Sequence, residues 1–124
     1  MARVKKILIV DSDLVRRIYA GQIMEQFGFS IFYAESNADA VDLYENDPVY
    51  DVVAIRVDDC PGINAYTAAR LIRSFQMAKR PYVVGIVSNY ERTKDAISSG
   101  IDILIAWPLA EAKPTGARLS IYPG

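Results

Sequence analysis

A chain of 124 residues is long enough for one buried core and too short for two ordinary domains. Its 14 basic and 15 acidic residues nearly cancel and form no basic block, so the footprint of a nucleic-acid binder is missing and no direct nucleic-acid partner is expected. The one cysteine, Cys60, has no internal disulfide partner, and a chain without histidine offers no Cys/His metal spacing; the cytoplasm fits best.

At the start, MARVKKILIVD, the apolar run stops at Asp11, too short for a signal-peptide core or a membrane span. It reads as a strand, Ile7-Leu8-Ile9-Val10, that breaks into Asp11-Ser12-Asp13. Beyond it, Val15, Ile18, Tyr19, Ile23 and Phe27 cover about half of a helix at ~100° per residue, with Arg16, Arg17, Glu25 and Gln26 outside that arc. Asp13 or Ser12 is its expected N-cap, and Gly28 its end. Ser30–Ala34 reads as a second strand, and Asn37 as the cap of a helix carrying Ala40, Val41 and Tyr44 that closes at Asp47-Pro48.

Next comes DVVAIRVDDCPG, Asp51–Gly62, an apolar run without polar alternation that suits a strand buried on both faces. Pro61-Gly62 turns the chain into a helix from about Asn64, with Ala68, Leu71, Ile72 and Phe75 expected inside and Lys79-Arg80-Pro81 as its stop. Tyr82–Val87 is a fourth strand running into Ser88-Asn89, followed by a more polar helix over Glu91–Ser99 closed by Gly100. Ile101–Ala106 is the fifth strand, ending in Trp107-Pro108.

Such alternation implies crossover connections and an α/β fold, a doubly wound parallel five-stranded sheet with helices on both faces. A site on such a sheet lies beyond the carboxyl ends of the strands, which makes Arg56, Asp58 and Asp59 the first residues to question. Pro114 and Gly116 interrupt the fifth helix expected from Leu109, since an interior proline costs about 3 kcal/mol. The expected organisation is one domain over residues 1–112 and an irregular tail or linker over 113–124, in which Ala117–Tyr122 suits a short helix, an added strand or a linker equally.

The order of elements, the acidic step after the first strand, the Asp51-to-Pro61-Gly62 block, Ser88, Gly100-Ile101-Asp102 and Pro108 together resemble the receiver domain of bacterial response regulators, the flavodoxin-like (βα)5 module of two-component signalling. The resemblance covers roughly residues 4–112. It implies an aspartate at the end of the third strand that accepts a phosphoryl group, and an acidic pair after the first strand that holds Mg²⁺ with it. A Thr or Ser after the fourth strand and a Lys before the last Pro would contact the phosphoryl oxygens. Cations on those oxygens and a carboxylate to accept the group are what the transfer needs.

Most of those positions are changed here. Counted from Asp51 the acceptor position falls on Arg56, and counted back from Pro61-Gly62 it falls on Val57; neither side chain accepts a phosphoryl group. The lysine position is Trp107 and the aromatic switch position Leu104. The acidic pair is reduced to Asp11 and Ser12, with Asp13 close behind and one residue fewer before Arg16-Arg17. Only Ser88 matches outright. Together these changes describe a degenerate pseudo-receiver in which an Arg56–Asp11 pair takes the place of Mg²⁺.

The leading expectation is therefore a phosphorylation-independent, non-enzymatic module, without a cofactor, that acts through a protein partner in a signalling pathway. Its contact surface would include Tyr90, Arg92, Lys94, Leu104 and Trp107, and the apolar surface left by a shortened fifth helix predicts a homodimer or a bound partner, with no membrane role. The enzymatic alternative uses Asp58 or Asp59 as a displaced phosphoacceptor with Mg²⁺. A third reading, a small-molecule binder, is weakened by the acidic Asp11-Ser12-Asp13 loop, since a phosphate-cradling loop wants glycines and free N–H groups.

Overall fold

The computed structural model describes residues 4–57, 62–75, 80–87, 99–106 and 121–123. Their elements are β1 (Lys6–Val10), α1 (Leu14–Gln26), β2 (Ser30–Ala34), α2 (Asn37–Asn46), β3 (Val52–Arg56), α3 (Ala65–Ser74), β4 (Tyr82–Val87), β5 (Ile103–Ala106) and β6 (Ile121–Pro123). The Val- and Ile-rich runs pair in the order β2-β1-β3-β4-β5-β6, the first five strands parallel. That is the expected doubly wound sheet. The chain leaves β1 toward β2 on one side and returns to β3 on the other, so the switch point lies between β1 and β3.

The sixth strand resolves the end of the tail. Of the three conformations left open for Ala117–Tyr122, Ile121–Pro123 takes the added strand, antiparallel to β5 with Ile105 opposite Ile121 and Ile103 opposite Pro123. Isoleucine and tyrosine suit a pleated surface, and β5 offers them an open edge. The expected helices over Glu91–Ser99 and from Leu109 lie outside the described residues except at Ser99.

Alternation along the buried strands supplies two cores. Leu8, Val10, Val53, Ile55, Val83 and Val87 face α2 and α3, where Ala65, Ala68 and Ala69 let the helix backbone come close and Tyr44 stacks on Phe75 at 6.1 Å between ring centroids. Ile7, Ile9, Ala54 and Val84 point the other way, under Ala20 and Met24 of α1. Leu71, expected inside, stands exposed on α3, whose buried residues are Ala65, Ala68, Ala69 and Ile72.

The orientation of α1 also departs from the apolar pattern. Its buried residues are Arg17 and Gly21, whereas Val15 is 76% and Phe27 72% exposed, and Ile18 and Tyr19 lie in the open as well. Two contacts set this phase. Arg17 turns inward to donate from Nη1 to the Asp11 carbonyl at 2.7 Å, and a Cβ at Gly21 would lie 2.1 Å from the Tyr33 hydroxyl, so α1 rests on β2 with the end of the Tyr33 side chain against Gly21. Specific polar and steric contacts outweigh a hydrophobic arc.

Caps fix the helix starts. Asp13 accepts from the Arg16 N–H and Asn64 from the Thr67 N–H. For α2 the cap is Ser36, not Asn37; the Ser36 hydroxyl accepts from Asp39 N–H, which frees the Asn37 amide to donate to Ile63 carbonyl oxygen at 2.8 Å. At the amino-terminal edge of the sheet, Arg73 donates from Nε to Gly100 O and from Nη1 to Pro81 O, each at 3.0 Å, and from Nη2 to Asp102 Oδ2. Asp102 also accepts from Val83 N–H and Arg80, tying α3 to the starts of β4 and β5.

Candidate functional site

Beyond the carboxyl ends of β1 and β3 the chain gathers its charge. Val10 and Ile55 are register partners, so the next residues, Asp11 and Arg56, stand side by side on the two central strands. Both are buried, Asp11 at 8% and Arg56 at 4% exposure. Val57 continues the ladder by donating its N–H to Ile86 O at 2.8 Å, which fixes the strand end.

The guanidinium seated on Asp11 belongs to Arg16, in place of the expected Arg56. Its Nε lies 2.9 Å from Oδ2 and 3.2 Å from Oδ1, and its Nη2 lies 2.8 Å from Oδ1. The reason is the short connection. With only Ser12 and Asp13 between Asp11 and Leu14, Arg16 falls in the first turn of α1, where side chains lean back toward the helix start. The same Oδ1 accepts the Asp13 N–H at 2.9 Å. Arg17 adds a second guanidinium, on the Asp11 carbonyl and 3.8 Å from Glu35 Oε1.

Asp13 points elsewhere. Its carboxylate accepts the Arg16 N–H at 2.9 Å, and that hydrogen bond, with the nearby Arg16 charge, holds its pKa below the ordinary 3.8. Ser12 is exposed beside it. The acidic step is thus spent on starting α1 and on holding Arg16.

Two guanidinium groups, of Arg16 and Arg17, therefore sit on Asp11, where a divalent cation would have to bind, and the buried Arg56 ends the adjacent strand. The described residues do not fit Mg²⁺: the Asp11 oxygens already accept two N–H groups of one guanidinium and a backbone N–H, and among the described residues no three Asp, Glu, Cys or His side chains form a metal cluster. A fixed guanidinium also repels a second cation at this range.

The remaining expected site residues fall as follows. Asp58, Asp59, Cys60, Ser88, Tyr90, Arg92, Lys94 and Trp107 lie outside the described residues. Leu104, counted in the contact surface, is 7% exposed and packed in the core beside Gly85, so it contributes no surface; its alternate position on β5 points it at the helix-covered face. Pattern reading missed Arg16 and Arg17 by assigning both to solvent. The signal that could have found them is the two-residue spacing from Asp11 to Asp13, which brings the first helical turn within reach of the strand end.

Two apolar features were also unforeseen. Leu14, Val15, Ile18 and Tyr19 form an exposed stripe on α1 next to the charged site. On the α1 side of the sheet lies a cavity of about 420 Å³ whose described lining is wholly apolar, including Ile7, Ile9, Ile23, Met24, Phe27 and Ile105. It has no polar group to orient a ligand. No described helix is long and apolar enough to cross a membrane.

No family model and no curated protein matches the chain. Solved structures do. A CheX–CheY complex with BeF3 and Mg+2 from Borrelia burgdorferi matches with 27% identity and a TM-score of 0.75, over 84% of this chain and 78% of that one. A CheY-like receiver domain from Methylobacillus flagellatus matches at TM-score 0.78 and 20% identity, over 86% and 88% of the two chains. The receiver domain of Ssk1, solved with the histidine phosphotransfer protein Ypd1 from Saccharomyces cerevisiae, gives 0.73 and 16%, over 87% and 81%. The fold is that of CheY-like response-regulator receiver domains.

Proposed function

We propose that this chain is a receiver-like signalling module that neither accepts a phosphoryl group nor needs a divalent cation, and that it acts by binding another protein. The receiver fold points to two-component signalling, and similar receivers are described in complexes with CheX and with Ypd1. The observation that carries the reading is Arg56: a buried guanidinium ends β3 at the position that the resemblance assigns to the acceptor carboxylate. A guanidinium is not a nucleophile toward phosphorus, and its charge is constant across the physiological range.

Protein contact is supported by the apolar stripe of Leu14, Val15, Ile18 and Tyr19, surface of the kind that binding buries. The module has no catalytic residue in this reading. Intact-mass spectrometry after incubation with acetyl phosphate and Mg²⁺ tests it. The expected spectrum shows no phosphoryl adduct. A hydrolysable adduct that disappears in Asp58→Asn or Asp59→Asn would establish the displaced-acceptor mechanism instead.

A further inference from the structure

We infer that Arg16 is a built-in substitute for a divalent cation, and that the carboxyl end of β1 is closed to Mg²⁺ because this guanidinium occupies Asp11. The inference rests on the receiver-like reading, and it assigns the closure of the site to one residue. A metal ion at a receiver-type site would have to bind Asp11 through an oxygen with a free lone pair. Oδ1 already accepts the Asp13 N–H and Arg16 Nη2–H, and Oδ2 accepts Arg16 Nε–H. An ion on the remaining lone pair would stand close to the Arg16 guanidinium, with Arg17 on the carbonyl of the same residue.

Nor does the neighbouring carboxylate compensate. Asp13 is engaged as the cap of α1, and moving it onto an ion would release the Arg16 N–H that it accepts. The cap and the ion pair reinforce each other: Asp13 fixes the first turn, and the first turn presents Arg16 to Asp11. Planar two-point contact suits a carboxylate as a metal's charge does, with no ion taken from solution. The site therefore stays neutralised at every concentration of divalent ion.

The test uses the full ¹⁵N-labelled chain and Mn²⁺ as a paramagnetic probe. For the unaltered protein the Arg16 Nε–H resonance should persist, and the Asp11, Asp13 and Ala34 amides should show no saturable broadening. In Arg16→Gln the same amides should broaden saturably, with apparent affinity at least about tenfold tighter, as expected when one adjacent positive charge is removed. Adding Asp11→Asn should abolish the effect. Saturable broadening in the unaltered protein would overturn the inference, and so would an Arg16→Gln variant that keeps a dispersed spectrum yet ignores Mn²⁺. The first measurement stands even if the variant fails to fold. A phosphoryl adduct without Mn²⁺ broadening would remove the functional reading and leave the role of Arg16 intact, so the two failures are distinguishable.

Discussion

Replacing Arg73 by alanine probes how much of the fold hangs on one half-buried guanidinium. The side chain makes three hydrogen bonds, to Gly100 O, Pro81 O and Asp102, and bonds from a charged donor contribute about 1.5–3 kcal/mol each. Their simple sum overstates the loss. Arg73 and Asp102 side chains are 15% and 21% exposed, so water reaches the severed groups, and Asp102 keeps the Val83 N–H at 2.8 Å and Arg80 at 3.3 Å. Truncation also returns roughly 2 kcal/mol of side-chain entropy. The expected net loss is about 3 kcal/mol, at the lower end of the range for breaking a buried pair.

Urea unfolding followed by far-UV circular dichroism would read this as a lower midpoint at unchanged slope, and thermal unfolding as a Tm lowered by roughly 10 °C. Arg73→Lys keeps the charge but reaches fewer acceptors, and should lose about 2 kcal/mol. In a cycle with Asp102→Asn the two positions should couple by about 1–2 kcal/mol. A loss below about 1 kcal/mol for Arg73→Ala, with no coupling, would refute the idea that this residue clamps α3 to the strand starts.

Other consequences are open to simpler assays. Ser36→Ala and Asn64→Ala each remove a helix cap and should lower stability by about 1 kcal/mol, whereas Asn37→Ala acts through Ile63 O and should leave the α2 cap in place. At Gly85 an added Cβ would come within 2.8 Å of Leu104 Cδ2 and 3.1 Å of both Ile101 and Val57, so Gly85→Ala should cost about 1–3 kcal/mol, measurable by urea midpoint. Because folding depresses the Asp13 pKa, its contribution is present above the ordinary value of 3.8 and lost as pH falls through the lower folded value. The stability gap between the unaltered protein and Asp13→Asn should therefore narrow across that acid window; a constant gap would exclude the carboxylate's charge as its source.

Local pattern carried the strands because burial on both faces leaves a nearly unbroken Val/Ile run, and such a run has few other uses in an α/β sheet. The start of α1 was legible as Asp13 or Ser12, and that of α3 as about Asn64, for a similar reason: at each start one side chain reaches one N–H, three residues on. At Ser36-Asn37 two adjacent residues could both cap, and the choice depended on Ile63, far along the chain. Orientation of α1 was hidden more deeply. A hydrophobic arc counts Arg17 as an outward residue, and nothing local reveals that a strand-end carbonyl will draw it in or that Tyr33 will lie over Gly21. The pairing of Asp11 failed on the same ground. Register sets Arg56 on the neighbouring strand, yet the first turn of the helix capped by Asp13 delivers Arg16 to the carboxylate.

The short β6 changes what the sheet can do at its border. Without it, β5 would present Ile-Leu-Ile-Ala as a bare apolar edge, the kind of template on which strands from other molecules add and fibrils grow. With it, the outermost strand is three residues long and ends in Pro123, which has no N–H to offer a newcomer. A chain trimmed ahead of Ile121 would keep its five parallel strands and lose this selvedge, so its first symptom should be precipitation on standing.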